Sequence, residues 1–351
     1  MTRPDILVDL DKKYTGGRIV RAATTVYKQY IEPLLPHSVP ALYGALVGTC
    51  IYLFHSYGYP QIDDSLQRHI AIPLTYALPF VTLMMAMWSD PGIITKTNHQ
   101  FALSMFAYDD IIFHSGNECR TCKFEKPARS KHCSNCGGCI SMCDHHCIWI
   151  NNCVGYNNYR WFLLFVIANV ILLCYGFYLT GSLLSIVVAR VQKDVPASFL
   201  NYKAWARALY HTKESKITGC LMLLCGSLST VAIAFLLVHI RYLYQGVTTN
   251  ETQKWEEIGD CIEDGTLFYY QYPVEVVAKR AGQANEPSIV LQRLPNGTFH
   301  RALTPKERIK VEQNGMVLRQ VKGFQDINNI YDRGLVNNIF CVLFPQWHKG
   351  Y

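Results

Sequence analysis

Charge is what this 351-residue chain has least of: only 17% of its residues are Asp, Glu, Lys or Arg, while half are apolar. An ordinary soluble domain carries about a quarter charged residues, so the shortage points away from a water-soluble enzyme and toward a membrane protein. The chain opens MTRPDILVDLDKK, without an apolar h-region, and no cleavable export signal is expected. Most of its fourteen cysteines are clustered at metal-ligand spacing, and that cluster is then expected in the reducing cytosol, its thiols free to bind metal. Internal repeats and low-complexity tracts are lacking as well. The net charge of +7 is too modest to imply a nucleic-acid partner; it suits apposition to a lipid bilayer.

Four stretches lack charge altogether: residues 39–58, 69–88, 161–188 and 217–240. Each reaches the roughly 20 residues that a helix needs to cross a hydrocarbon layer about 30 Å thick. An α-helical polytopic membrane protein with four transmembrane helices is expected. Residues 1–38, with six basic and four acidic side chains, read as a cytosolic N-terminal arm. The segment 89–160 reads as a cytosolic loop, 189–216 as a lumenal loop, and 241–351 as a cytosolic tail. The positive-inside rule supports the arm and the long loop, which carries Arg120, Lys123, Lys126, Arg129 and Lys131. It opposes the 189–216 loop, where six basic residues face two acidic ones. A lumenal position is still expected there, because the reverse topology would put the thiols in an oxidising compartment.

After Arg241 the tail carries twelve basic and twelve acidic residues, and it reads as a small mixed structure. Residues 289–294, the turn Pro295-Asn296-Gly297 and the return from Thr298 form the pattern of a β-hairpin. Residues 316–321 suggest a further strand. N-glycosylation sequons at Asn250 and Asn296 should be unmodified in a cytosolic tail.

The chemistry is concentrated between Cys119 and Cys153, where eight cysteines and three histidines fall within 35 residues. Closely spaced Cys and His pairs supply thiolate and imidazole donors to tetrahedral zinc. Eleven candidates fill two four-coordinate sites and leave three over. The run Asp144-His145-His146-Cys147 suggests where the surplus lies. It offers a thiol, an imidazole two residues before it, and a carboxylate beside that imidazole, the parts of an activated nucleophile. Residues two apart share a face only when the backbone is extended. His145 can therefore serve Cys147 in a strand but not in a helix, and Asp144 then needs a local turn to reach His145.

These residues resemble the cysteine-rich domain of the DHHC protein S-acyltransferases, or palmitoyltransferases. Further motifs of that family follow in order: Asp90-Pro91-Gly92, then Asn151-Asn152-Cys153-Val154-Gly155 with Asn158-Tyr159. Beyond the last span come Thr248-Thr249-Asn250-Glu251 and Asn329-Ile330-Tyr331-Asp332-Arg333-Gly334 with Asn338. Ile148 departs from the family, which usually has proline after the catalytic cysteine; a fungal endoplasmic-reticulum branch that acylates SNAREs looks similar in this respect.

The resemblance implies two structural Zn2+ ions, one on Cys119, Cys122, His132 and Cys139, the other on Cys133, Cys136, His146 and Cys153. It implies Cys147 as nucleophile, His145 as base and Asp144 as the group orienting it. Palmitoyl-CoA would be the acyl donor, its phosphates met by Lys126 and Arg129, with Trp149 packed near the thioester. A membrane-embedded tunnel would take the acyl chain, since burial is worth about 0.8 kcal/mol per methylene. Protein substrates would be membrane proteins with juxtamembrane cysteines, SNARE-like among them, at the endoplasmic reticulum rather than the Golgi. Cys143 reads as a bystander, and Cys50, Cys174, Cys220 and Cys225 as small apolar residues of the spans. The alternative from another class is a membrane-anchored zinc-binding scaffold without catalysis, in which every Cys and His of the stretch is a ligand or dispensable.

Overall fold

In a computed structural model the chain is described at residues 15, 18–31, 34–191, 202–271, 289–300 and 302–345. Residues 1–14 of the N-terminal arm and 192–201 of the expected lumenal loop lie outside the described residues. After a short helix α1 (Arg18–Val26), four helices among the described residues are long and apolar enough to cross a membrane. They are α2 (Leu35–Tyr57), a π turn at Gln67–Ala71 running into α3 (Ile72–Trp88), α5 (Tyr159–Val191) and α7 (Lys213–Gln245). The helix α4 (His99–Met105) lies between the second and third of these.

At 33 residues each, α5 and α7 would extend about 50 Å and overrun the uncharged stretches at their centres. The absence of charge marks where lipid must be met, whereas helix continues until something stops it. For α7 the first turn is capped by Thr212, whose hydroxyl accepts the Ser215 N–H at 3.1 Å. Its end is Gly246, at φ +65°. Outward apolar side chains such as Leu46, Leu164, Leu223, Val231 and Leu237 are exposed along these helices, as lipid contact requires.

The chain divides into two compact units. One contains Met1–Ile70, Cys147–Asn151 and Thr180–Leu221. Within it, Gly58 lies against Phe54 and Leu183, and the Lys213 ammonium stands 5.3 Å over the Tyr57 ring. The short helix α6 (Tyr202–Leu209) rests Leu209 on the bare backbone of Gly219.

The other unit contains Ala71–His146, Asn152–Leu179 and Met222–Tyr351. Short strands β1 (Ile93–Ile94), β2 (Lys131–Cys133) and β3 (Gly138–Ile140) form an antiparallel sheet of order β1-β3-β2. Strands β4 (His145–Cys147) and β5 (Asn152–Val154) pair separately. In the tail, α8 (Thr249–Glu263) packs Trp255, Ile258 and Ile262 against a core of Ile111, Leu267, Tyr269, Val290, Val321 and Ile327. That core is built on a sheet of order β7-β6-β8, formed by β6 (Leu267–Gln271), β7 (Val290–Gln292) and β8 (Val317–Gln320). The helix α9 (Pro305–Asn314) leads into β8, and α10 (Leu335–Leu343) follows it.

The expected hairpin forms only in part. Its first arm is β7 and its turn has Gly297 at φ +84°, but the return arm makes a single bridge, Arg293 to Phe299. The His300 ring explains this, because its Nδ1 accepts the Gln292 N–H at 2.9 Å and replaces the next ladder carbonyl. The long partner of β7 is β6 instead.

The family-like motifs around the metal-ligand stretch act as local fasteners. Asp90 Oδ1 accepts the N–H groups of Gly92 and Ile93 at 2.9 and 3.0 Å, which turns the chain out of α3 into β1. The Asn152 side-chain amide lies 2.8–3.2 Å from the carbonyls of Ala86, Met87 and Ser89. It thus satisfies acceptors that the end of α3 leaves open. Asn158 closes the loop before α5, accepting from Gly155 N–H at 2.9 Å and donating to Cys153 carbonyl at 2.8 Å. A Cβ at Gly155 would overlap the Pro91 carbonyl and the Ile140 side chain. Backbone stands in the way there, so Gly155→Ala should lower the melting temperature of detergent-purified protein, with loss of bound metal, by more than the roughly 1 kcal/mol of a typical substitution.

Candidate functional site

Two groups of four ligand atoms assemble from the cysteine-rich stretch: Cys119, Cys122, His132 and Cys139, and Cys133, Cys136, His146 and Cys153. In each group the four atoms lie within 4.8 Å of one another. Strand pairing brings them together. His132 and Cys139 are direct partners across β2 and β3, while His146 and Cys153 come from the paired strands β4 and β5. His132 Nδ1 is 3.4 Å from Cys122 Sγ and 3.9 Å from Cys139 Sγ. His146 Nδ1 is 3.6, 3.4 and 3.6 Å from the sulfurs of Cys133, Cys136 and Cys153. Tetrahedral zinc with ordinary Zn–S and Zn–N bonds would set such edges at about 3.6–3.8 Å, so the donor sets fit a metal of that kind.

His145 and Cys147 belong to neither group, and neither does Cys143, which is buried beside Ile140 and Cys153. His145, His146 and Cys147 lie on the extended strand β4, the backbone that a His–Cys pair two residues apart requires. Just before them Met142 takes φ +43°, which supplies the local turn that Asp144 needs. His145 Nδ1 is 2.6 Å from Asp144 Oδ2, an ion pair whenever the ring is protonated. With Nδ1 committed to the carboxylate, Nε2 is the nitrogen able to exchange a proton with a thiol. Phe162 of α5 meets the imidazole edge-on, with ring centroids 5.2 Å apart. The Cys147 side chain is buried, whereas Ile148 and Trp149 after it are 57% and 47% exposed.

Asp144 has a second set of partners. Its Oδ1 accepts the Thr249 N–H at 2.7 Å, and its Oδ2 accepts the Thr249 hydroxyl at 2.8 Å. Burial pushes this carboxyl upward, but the bonds from His145 and Thr249 outweigh burial and hold it below the usual carboxylate range. Thr248 caps α8, its hydroxyl accepting from Glu251 N–H while the Glu251 carboxylate takes the Thr248 N–H. The same carboxylate receives Arg129 on both oxygens, Nε and Nη2 each at 2.6 Å. Arg129 also donates to the Gly246 carbonyl at 3.0 Å and lies 4.8 Å over the Tyr331 ring. Tyr331 in turn donates to the Ala107 carbonyl at 2.8 Å, and Asn338 donates to the Leu243 carbonyl at 3.0 Å.

Arg129 is thus buried with its guanidinium committed, and it is not on offer to solvent in the way the sequence suggests. Lys126 lines a cavity of about 190 Å3 together with Lys131, Lys254 and Asn250, whose buried amide nitrogen has no hydrogen-bond partner. The sequence singles out the Thr248–Glu251 motif by its place after the last span. It does not tell that Thr249 binds Asp144, nor that Glu251 binds Arg129; both contacts span more than a hundred residues.

Removing one partner of a buried ion pair leaves the other charge unpaired, at a cost of about 3–5 kcal/mol. Glu251→Gln and Arg129→Met should each lower the melting temperature sharply. Arg129→Lys should not restore it, because an ammonium cannot bond both carboxylate oxygens in the same planar fork. A thermal melt of the three variants in detergent checks this.

The family described as DHHC palmitoyltransferase matches residues 112–256. Palmitoyltransferase SWF1 of Yarrowia lipolytica is 38% identical over 349 residues, covering 98% of this chain and 88% of that protein. Palmitoyltransferase swf1 of Schizosaccharomyces pombe is 33% identical, over 99% of this chain and 87% of its own length. For Palmitoyltransferase SWF1 of Saccharomyces cerevisiae the identity is 29%, over 70% and 69% respectively. Together with the paired metal-ligand groups and the Asp144-His145-His146-Cys147 run, these likenesses make the chain a member of the DHHC palmitoyltransferase family.

Proposed function

We propose that this chain is a protein S-acyltransferase that carries a long-chain acyl group from palmitoyl-CoA, through a thioester on Cys147, to cysteines of membrane-associated proteins. The observation that carries this reading is the His145–Asp144 pair at 2.6 Å, on a strand leading to a thiol that neither metal group uses. A pure scaffold has no use for that arrangement. His145 Nε2 takes the Cys147 proton, and the thiolate attacks the acyl carbonyl of the donor. The bond to the CoA sulfur breaks, and CoA leaves as the free thiol by taking the proton from His145, which returns the imidazole to its neutral form. In the second half a substrate thiol gives its proton to His145 and attacks the Cys147 thioester, and the returning Cys147 sulfur is reprotonated. No electrons are exchanged, and the two halves predict ping-pong behaviour. Asp144 keeps the proton-bearing Nδ1 fixed and stabilises the imidazolium in each half.

The eight ligands are assigned to two structural zinc ions. When bound, zinc would supply folding energy to a segment whose strands are only two or three residues long. For the CoA phosphates, Lys126 is the assigned contact, supported by the positive cavity it shares with Lys131, Lys254 and the unpartnered Asn250 amide. Arg129 contributes from behind, holding the loop that presents Lys126. Exposed Trp149 is assigned to the acyl thioester, and the acyl chain to the membrane. The active site faces the cytosol in this reading, and SNARE-like clients at the endoplasmic reticulum follow from the fungal resemblance.

Covalent loading tests the reaction. Detergent-purified protein should bind about two zinc ions and take up a hydroxylamine-labile acyl group from palmitoyl-CoA. Cys147→Ser should abolish uptake with zinc retained, and Cys143→Ser should still load. Loss of zinc in Cys147→Ser, or a fully metallated wild type that never loads, would return the scaffold reading. Metal removal should act differently. A strong chelator at neutral pH is expected to lower zinc content, melting temperature and loading together, because the sites hold the fold and not the acyl group.

A further inference from the structure

We propose that His239 is a positioning residue of the acyl-transfer site, acting on His145 through Phe162. The proposal rests on the reading of His145 as the base. An ionisable side chain within a membrane-crossing helix is costly and needs a use. His239 lies on α7, nine positions before Thr248, and is 2% exposed. Its Nδ1 is 2.8 Å from the hydroxyl of Tyr159 at the start of α5, a residue 1% exposed. One turn further along α5, Phe162 makes T-shaped contacts with two imidazoles. Its ring centroid is 5.1 Å from that of His239, at 70°, and 5.2 Å from that of His145, at 77°. The two imidazoles are themselves 6.3 Å apart. Phe235 and Tyr242 also pack on His239, with ring centroids at 4.7 and 5.9 Å.

This cluster supplies what the Asp144 bond lacks. A hydrogen bond at Nδ1 fixes the tautomer and one point of the His145 ring, but it leaves the ring plane free to swing about that point. An aromatic ring packed perpendicular to the imidazole removes that freedom, and edge-to-face contacts are directional enough to do so. Phe162 can hold its position only if α5 and α7 keep their spacing at this level. The Tyr159–His239 bond sets that spacing with one buried polar contact, and the His239 ring backs Phe162 directly. Proton transfer is sensitive to such placement, and a displacement of about 1 Å can cost a hundredfold in rate.

His239→Phe removes the bond while keeping an aromatic ring, and Tyr159→Phe removes it from the other side. His239→Asn keeps a group near the Nδ1 position that can bond Tyr159. Each, with the double variant, would be measured for acyl loading at saturating palmitoyl-CoA, for the half-saturating donor concentration, and for zinc content and melting temperature. We expect loading about tenfold slower in both Phe variants, with donor affinity and zinc unchanged. No further loss is expected in the double variant, and His239→Asn should recover most of the rate.

Wild-type loading in His239→Phe overturns the proposal. So do losses that multiply in the double variant, an Asn variant as slow as Phe, or a rate that falls only in step with zinc or melting temperature. Failure of the underlying reading has a separate signature: His145→Ala, or Cys147→Ser, would load as fast as wild type.

Discussion

The Asp144 carboxylate accepts three hydrogen bonds from two places in the chain: the His145 ring beside it and both the N–H and hydroxyl of Thr249. It is 3% exposed, and burying an unpaired carboxylate would cost several kcal/mol, so none of these donors is optional. A fully satisfied carboxylate in a dry site is held ionised and oriented at once. That is the condition under which it can fix the His145 tautomer and favour the imidazolium. The turn at Met142, the pairing of β4 with β5 and the start of α8 directly after the last span all serve to bring these three groups to one point.

The same helix start is secured a second time, and by a different charge. Thr248 and Glu251 form a capping box, and Glu251 then takes the whole fork of Arg129. A cap is worth about 1 kcal/mol, but a charged residue used as the cap and paired below the surface turns a local preference into a long-range tether. Gly246 makes room for it. At φ +65° it ends α7, and a Cβ there would overlap the Asp332 backbone, so the tail can close over the junction. Arg129 is covered by the Tyr331 and Phe106 rings at 4.8 and 5.3 Å. The last span, the metal-ligand stretch and the tail motif therefore meet on one guanidinium. Loss of order at any one of them is felt at Asp144, since Thr249 stands between Thr248 and Glu251 on the same turn of helix.

Much of this is legible in the sequence because it follows from single, local requirements. The four uncharged stretches announce membrane helices, since each is long enough to cross the hydrocarbon layer as a helix and carries no charge to be buried in it. The ligand spacing announces two metal groups, and the adjacent histidines announce an extended strand, because extension turns neighbouring side chains to opposite faces and so separates a metal-bound imidazole from the other. What is hidden is the pairing of distant polar groups. Arg129 looks like any basic residue facing a phosphate until Glu251 is seen beside it, and a Thr-Thr-x-Glu run is silent without the carboxylate it meets. His239 is hidden for a related reason. A single histidine among apolar residues leaves no period or spacing to read, and its partner Tyr159 is eighty positions away. The incomplete hairpin at Asn296–Gly297 shows the converse, a strong local turn signal whose return arm is diverted by the His300 side chain.

Ile148 gives the strand its last constraint. A proline at this position, as is usual in the family, would by itself bias Cys147 toward extended backbone, because its ring crowds the residue before it. This chain has a residue with no such effect, yet His145–Cys147 is still a strand. Extension must then be imposed from outside the dipeptide. Two agents are available: the ladder with β5, and His146, whose Nδ1 is drawn to within 3.6 Å of all three sulfurs of its group. Both act through the metal-ligand group, since β5 carries Cys153. In this chain the extended backbone of His145–Cys147 therefore depends more heavily on the second metal group than it would with proline at position 148. A metal-ligand group that braces the fold is, by that route, also what holds the Asp144-paired His145 on extended backbone.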